Sequence, residues 1–297
     1  MARRVDLLVN PTSGGGRGLR VLGPAVERLR DGGAEVRVVQ GRDAAEAADL
    51  ARAAVADRPD ALVALGGDGL IHLAVQALAE TGIPLGIVPA GTANDLARVL
   101  GIPLGDPPRA VDVILGGVTR AIDAGRCGDQ WFSNVVSCGL DAVVSERAGR
   151  LHRIPGHVRY LAALAAELPK FRPVPFTLEL DGEEWRTDAM LVAVGNSSTY
   201  GTGMRICPDA QLDDGLLDVV VLHVSRVEVA CLFPLVYRGW HLRYPRVTAR
   251  RARTVSIAAP GLTAYTAGER LAGLPLTCEA VQGALRVFVP PGIADAE

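Results

Sequence analysis

Lysine is almost missing from this chain. Of 31 basic residues only Lys170 is a lysine, and the rest are arginines. No phosphate loop of the G-x-x-x-x-G-K-[ST] type can be written, and no G-x-G-x-x-G fingerprint occurs either. Cysteine is scarce and scattered: Cys127, Cys138, Cys207, Cys231 and Cys278 include no C-x-x-C pair and make an odd total. A disulfide framework or a zinc site is therefore not expected, and all five read as small buried hydrophobes in a reducing cytoplasm. No run approaches the roughly 18 apolar residues of a membrane span. Met1-Ala2-Arg3-Arg4-Val5-Asp6 carries neither the apolar core nor the cleavage site of a signal peptide. His72, His152, His157, His223 and His241 show no ligand spacing and are expected in surface or packing roles. The net charge of −2 lacks the excess that bulk nucleic-acid binding needs.

What remains is ample apolar material. The chain has 297 residues, 49% apolar and 22% charged, which excludes general disorder. At this size about 73% of the chain's surface can be buried. Two domains are expected, an α/β domain over 1–125 and a β-rich domain over 126–297.

The first third alternates short apolar runs with helical segments. Val5–Val9, Val36–Val39, Ala61–Leu65 and Leu85–Val88 read as strands. Leu19–Leu29, 43–56 and a segment from about Leu70 read as helices. Continuous apolar strands alternating with helices predict a doubly wound parallel sheet, whose ligands collect at the carboxyl ends of the strands. Three polar, glycine-containing loops fall at those ends: Asn10–Gly16, Gly66–Gly69 and Pro89–Asp95. Glycines there bring main-chain N–H groups against an anion, and a helix opening there adds its positive dipole end. Together they read as a phosphate cradle.

Asp68 is the odd member, because a carboxylate inside such a cradle repels phosphate. Either a cation lies between them or the side chain turns inward to brace the loop. With Asp95 and Asp123 it makes three acids near strand ends, a set that suits Mg²⁺ held largely through water. Helix or turn capping explains Asp95 equally well.

These residues, read in order, resemble a known family. Asn10-Pro-Thr-Ser-Gly, Gly66-Gly-Asp-Gly69, Pro89-x-Gly-Thr-x-Asn-Asp95 and Ile122-Asp123 come first. Gly195-Asn196, Tyr200-Gly-x-Gly203 and Pro208-x-Ala-x-x-Asp-Asp-Gly-Leu-Leu-Asp218 follow. The series resembles the diacylglycerol kinase catalytic family, above all its soluble bacterial lipid kinases, from about residue 5 to about residue 290. The resemblance implies a nucleotide-binding domain followed by a β-rich domain, an active site in the cleft between them, ATP as donor and a lipid hydroxyl as acceptor. By position it assigns ATP contacts to Asn10, Pro11, Thr12, Ser13, Gly14, Gly66, Gly67, Asp68, Gly69, Thr92 and Asn94. Asp68, Asp95 and Asp123 match the family's water-mediated Mg²⁺ network, and Gln211, Asp214 and Leu216 match a second, structural Mg²⁺ site.

Several positions depart from the family pattern. The Gly-Gly-Asp-Gly-Thr series ends here in Leu70, His72 replaces an Asn, and Leu73 replaces a Glu. No threonine follows the second strand near Val39-Gln40. The family's Asp-Gly-Glu, taken to supply the catalytic base, reads Ala267-Gly268-Glu269. Glu269 is then the candidate base, with Asp68 the other residue expected to be essential for catalysis.

The remainder reads as an antiparallel β-sandwich, with strands at Trp131–Val136, Thr177–Leu180, Ala189–Val194, Leu217–Leu222, Thr254–Ile257 and Ala284–Val289. The last residues are expected to pack back on the first domain. Helices over 158–168 and 227–240 interrupt the strands. Arg238, Arg243, Arg246, Arg250, Arg251 and Arg253, interleaved with Trp240 and Tyr244, suit either an anionic bilayer surface or a solvated strand face. The expected activity is transfer of the ATP γ-phosphate to diacylglycerol, by a cytoplasmic protein that meets its lipid at the membrane surface and is compatible with a homodimer. The alternatives are a kinase for a sphingoid or other lipid alcohol, a nucleotide- or lipid-binding protein weakened by Ala267 and Leu70, and, less favoured, an NAD kinase.

Overall fold

The structure is a computed structural model that describes residues 3–10, 13–151 and 156–292, leaving out the side chains of residues 156 and 157. The chain divides into two compact units, Met1–Ala124 with Gln282–Glu297, and Gly125–Val281.

In the first unit, continuous apolar runs make the central strands. They are β1 (Arg3–Val9), β2 (Ala34–Gln40), β3 (Ala61–Gly66) and β4 (Leu85–Pro89), with β5 (Thr119–Cys127) leading out of the unit. All residues of β3 and β4 are buried, while β2 exposes most of its side chains as an edge strand does. Pairing is parallel in the order β2-β1-β3-β4, with Val5 opposite Val36 and Ala61, and Leu62 opposite Leu85. Helices α1 (Ser13–Asp31), α2 (Ala44–Ala56), α3 (Asp68–Leu78), α4 (Asp95–Val99) and α5 (Pro107–Gly116) connect them. Local chemistry sets their ends. Asp43 caps α2 by accepting from the Glu46 N–H, Asp106 with Pro107 opens α5, and Gly117 closes it in the left-handed region.

The second unit contains β6 (Gln130–Phe132), β7 (Val135–Gly139), α6 (Leu140–Arg150), α7 (Gly156–Glu167), β8 (Val174–Leu180), β9 (Glu183–Ala189), β10 (Leu191–Gly195), β11 (Leu217–Leu222), α8 (Arg226–Val236), β12 (Val247–Ala252), β13 (Thr254–Ala258), β14 (Thr263–Thr266), β15 (Glu269–Gly273) and the start of β16 (Leu276–Phe288). One antiparallel sheet runs β12-β11-β10-β7-β14-β15. Side-chain alternation gives it two apolar faces. Val192, Val194, Leu217, Val219 and Val221 meet Phe176, Leu178, Val255 and Ile257 of the facing strands β8 and β13. Leu191, Ala193, Val220 and Leu222 meet Val144, Leu164 and Leu232 of the three helices. This is the expected sandwich, with a helical layer added on one side. The far end of β16 belongs to the first unit, where Val287 pairs in parallel with Leu85 of β4.

Several expectations need correction. Cys127 and Cys278 form a disulfide, with Cα atoms 4.4 Å apart, and Cys231 is exposed; only Cys138 and Cys207 are free buried thiols. The strand expected over Trp131–Val136 breaks at Ser133-Asn134, because the Asn134 carbonyl accepts the Asn196 and Ser197 N–H groups instead of a ladder partner. The helix expected over 227–240 ends at Val236, and left-handed Gly239 turns the chain into a 3₁₀ segment, Trp240–Arg243. The arginine cluster is split. Arg246 pairs with Glu228, Arg250 with Glu183 and Arg251 with Asp214, whereas Arg238 and Arg243 both lie over the Trp240 ring. Among the described residues no helix is long and apolar enough to cross a membrane.

Candidate active site

The three glycine-containing loops of the first unit meet at the carboxyl ends of β1, β3 and β4. The Ala90 and Gly91 N–H groups both donate to the Gly66 carbonyl, at 2.8 and 3.2 Å, so the loops after β3 and β4 are joined. The Asn10 N–H donates to the Leu65 carbonyl, and the Ser13 N–H to the Asn10 carbonyl, which binds the loop after β1 to the same edge. Asn10, Ser13, Gly14, Gly66, Gly67, Asp68, Gly69, Thr92 and Asn94 are thereby assembled. Pro11 and Thr12 lie outside the described residues.

Asp68 resolves its two readings by turning inward. Its Oδ2 accepts the Asn94 N–H at 2.8 Å and its Oδ1 the Asp95 N–H at 2.6 Å. Burial raises this carboxyl above its ordinary range, while main-chain N–H bonds from Asp95, Asn94 and Asp68 itself and the nearby Arg98 pull it back down. Asn94 sits in the left-handed region, and its side chain exchanges two 3.0 Å hydrogen bonds with the Gly91 main chain. The loop is thus held from both sides, which leaves Thr92 exposed at its tip.

Close main-chain approach explains the glycines. A Cβ on Gly91 would lie 2.4 Å from the Gly67 Cα, and one on Gly14 would lie 2.2 Å from the Ala90 carbonyl oxygen. Gly14, Gly15 and Gly16 all take left-handed backbone angles, and Gly15 and Gly16 face open space. Such a run exposes main-chain N–H groups, a ready site for phosphate oxygens. Regular helix resumes at Arg17, whose Nη1 donates to the Gly91 carbonyl at 3.3 Å. The loop reading passed over Arg17. A cation in a helix's first turn opposes the dipole, and that is the signal that an anion belongs nearby. Gly91→Ala is expected to destabilise the fold by about 1–3 kcal/mol, as overpacking does, and to weaken nucleotide binding; calorimetric melting and titration check both.

Leu70 is buried behind the loop, against Gly66, so the departure from threonine fills the space beneath the cradle and leaves its rim unchanged. His72 lies on the same helix, 3.3 Å from the Gln76 amide, and burial lowers its pKa.

The acids do not form a ready metal cage. Among the described residues no cluster of three His, Cys, Asp or Glu side chains could hold a metal ion. Asp95 is buried at the start of α4, and Asp123 is buried on β5, where its Oδ1 accepts the Gly283 N–H at 2.8 Å. Three main-chain N–H groups against four lone pairs leave the Asp68 carboxylate room for one contact to a metal through water. Of the second set, in the second unit, Gln211 is exposed and Asp214 Oδ1 accepts the Leu216 N–H at 3.0 Å, while Asp214 Oδ2 and Asp218 Oδ2 are buried beside the Arg251 guanidinium without a hydrogen-bond partner.

Glu269 opens β15 in the second unit. It is exposed, and partial desolvation raises its carboxyl above the usual range. Ala267 and Gly268 form the two-residue turn before it, both with positive φ, 50° and 80°. Such turns favour Asn-Gly or Asp-Gly, and alanine is strained there by about 1 kcal/mol. The missing aspartate is therefore also missing turn chemistry. Ala267→Asp is expected to stabilise the protein by about 0.5–1 kcal/mol, seen as a rise in melting temperature.

Comparison with known proteins bears on this arrangement. The diacylglycerol kinase catalytic domain family matches residues 4–127, and the YegS C-terminal NAD kinase beta sandwich-like domain matches residues 134–289. A diacylglycerol kinase of Mycobacterium tuberculosis is 42% identical over 294 residues, 97% of this chain and 95% of the relative. The chain belongs to the diacylglycerol kinase family. A diacylglycerol kinase of Staphylococcus aureus is 30% identical over 302 residues, covering all of this chain and 96% of the relative. A crystal structure of a diacylglycerol kinase from Bacillus anthracis has the same fold, with a TM-score of 0.79, 24% identity and 98% of each chain covered. An NAD kinase from Archaeoglobus fulgidus, solved with ATP, shares the fold more distantly: the TM-score is 0.53 at 14% identity, over 99% of this chain and 95% of that one. The protein is thus a lipid kinase of the diacylglycerol kinase type.

Proposed function

We propose that the protein transfers the γ-phosphate of ATP to the hydroxyl of diacylglycerol, giving phosphatidic acid, with Mg²⁺ as the required metal. The observation that carries this reading is the joined set of loops at β1, β3 and β4, where main-chain contacts leave no room for a side chain at Gly14 and Gly91. Phosphoryl transfer asks mainly for positioning and charge neutralisation, with little covalent help from the protein.

In this reading Gly14, Gly15 and Gly16 offer N–H groups to the phosphates, Gly66 to Gly69 shape the floor, and Thr92 donates from its exposed tip. Asp68 fixes the Thr92 loop and, with Asp95 and Asp123, would hold Mg²⁺ through water. Mg²⁺ would supply charge neutralisation on the phosphates. Glu269 takes the acceptor's proton. The lipid is met at a membrane surface, where Trp240 between Arg238 and Arg243 suits the interface.

The test is transfer from labelled ATP to diacylglycerol in mixed micelles, with Mg²⁺ and with chelator. Activity that vanishes with chelator and returns with Mg²⁺ is expected. Transfer to a sphingoid base with none to diacylglycerol would move the assignment to another lipid alcohol, and nucleotide binding without any transfer would make the chain a binding protein.

A further inference from the structure

Strands β5 and β16 pair with each other, and each runs from one unit of the chain into the other. Three side-chain contacts follow one another along this pair. Asp123 Oδ1 accepts the Gly283 N–H at 2.8 Å, the Arg126 guanidinium pairs with the Glu279 carboxylate, and Cys127 is bonded to Cys278. The disulfide thus lies on the strand that carries Asp123, about 13 Å further along at the usual strand rise.

The strand pair is weakest where Asp123 is held. Gly283 interrupts β16 in the left-handed region, at φ 63°, and such a glycine inside a strand marks a lapse in regular pairing. The position of its N–H therefore depends on what pins the chain on either side. On one side Val287 pairs with Leu85 of β4. On the other, the Arg126 and Glu279 side chains are 39% and 42% exposed, and ion pairs that open to water hold weakly. The Cys127–Cys278 bond is the strong pin there. Its setting also suits a bond that opens and closes. The Cα atoms are 4.4 Å apart, the spacing of the narrow pair in an antiparallel ladder, so the strands keep both sulfurs adjacent whether or not they are joined. Cys278 is fully buried, while Cys127 keeps 8% exposure beside the turn to β6. Cys127 is the sulfur that a small reagent meets.

We infer that Cys127 and Cys278 form a reversible thiol–disulfide switch, closed by peroxide and opened by small thiols, that sets how firmly Asp123 is held and through it the affinity for Mg²⁺-bound ATP. The step from Asp123 to ATP rests on the kinase reading above; the switch itself does not. On closing, the Cys127 thiolate attacks hydrogen peroxide, its O–O bond breaks, and a sulfenic acid and water form. The Cys278 thiol then attacks the Cys127 sulfur, the S–S bond forms and a second water leaves. Two electrons pass from the sulfurs to the peroxide oxygens. On opening, a small thiol attacks Cys127 and releases Cys278 as its thiol; a second small thiol then frees Cys127 and departs with the first as their own disulfide. The closed state already orders Asp123, so nucleotide binds it more tightly, and nucleotide in turn favours the closed state by the same factor.

The native protein, poised in oxidised or reduced dithiothreitol buffer, tests this without any substitution. The Gly283 amide should exchange its hydrogen at least about 10-fold faster in the reduced form, while the Val63 and Ala64 amides of β3 exchange alike in both. Calorimetric titration should find Mg²⁺-bound ATP held about 10-fold more tightly by the oxidised form. The midpoint potential of the cysteine pair should then fall by about 30 mV when the nucleotide is present, the two-electron equivalent of that factor. The double variant Cys127→Ala, Cys278→Ala should match the reduced form in both buffers, and Cys231→Ser, at the exposed free thiol, should respond as the native protein does. Equal Gly283 exchange in the two forms, equal affinity for a nucleotide that binds, a bond that excess dithiothreitol leaves intact in the folded protein, or a redox response that persists in the double variant would overturn the inference. Failure of ATP to bind either form would sink the kinase reading alone, because Gly283 exchange still decides the switch.

Discussion

Asp68→Asn is expected to reduce phosphoryl transfer by at least about 100-fold, the scale of loss for a misplacement of about 1 Å in a reacting group. The native carboxylate accepts two adjacent main-chain N–H groups, from Asn94 and Asp95. Asparagine keeps one acceptor and turns an NH₂ toward the other N–H, so a buried donor loses its partner at a cost of about 1–3 kcal/mol. The Thr92 loop then loses one of its two anchors, while the Asn94 side chain still grips Gly91. Weaker nucleotide binding by titration and a lower melting temperature should accompany the kinetic loss. Full turnover in this variant would remove Asp68 from the site.

Glu269→Gln should lower turnover by about 10²- to 10⁴-fold, the range for a lost general base, with ATP affinity unaltered because the loops proposed to hold the phosphates all belong to the other unit. The pH profile separates this from a structural effect. Only the ionised carboxylate accepts a proton, and partial desolvation raises the Glu269 carboxyl above 4.5. Native activity should therefore rise with pH through that raised pKa and fall below it. The glutamine variant should lose this acid limb. An unchanged limb would assign the proton to another group.

The first unit was the more legible of the two. Its strands are continuous apolar runs flanked by glycine, so both burial and the ligand-bearing ends follow from composition along the chain. The second unit depends on distant pairings. Strand β12, rich in arginine, and the short β14 and β15 carry little periodicity and are strands only because β11 and β7 accept them. Helix α6 follows β7 without a polar break, and the switch is one residue, Gly139 at φ 88°. At the site, the identity of Asp68 was readable but its direction was not, since its two donors come from a loop 26 and 27 residues away. Asp141, Tyr160 and Tyr200 gave no signal of their hydrogen bonding, because contacts 19 and 59 residues apart leave no local pattern. The Cys127–Cys278 bridge was hidden by its separation of 151 residues.

That bridge also says something about how such a protein could arise. Cys127 and Cys278 stand close to the two ends of the second unit, and their Cα atoms are 4.4 Å apart. A module that begins and ends at nearly one point can be spliced into a host chain, or swapped for another, without lengthening any connection in the host. Change of substrate could then proceed by wholesale replacement of the inserted module, while the glycine-lined edge of the host stays intact.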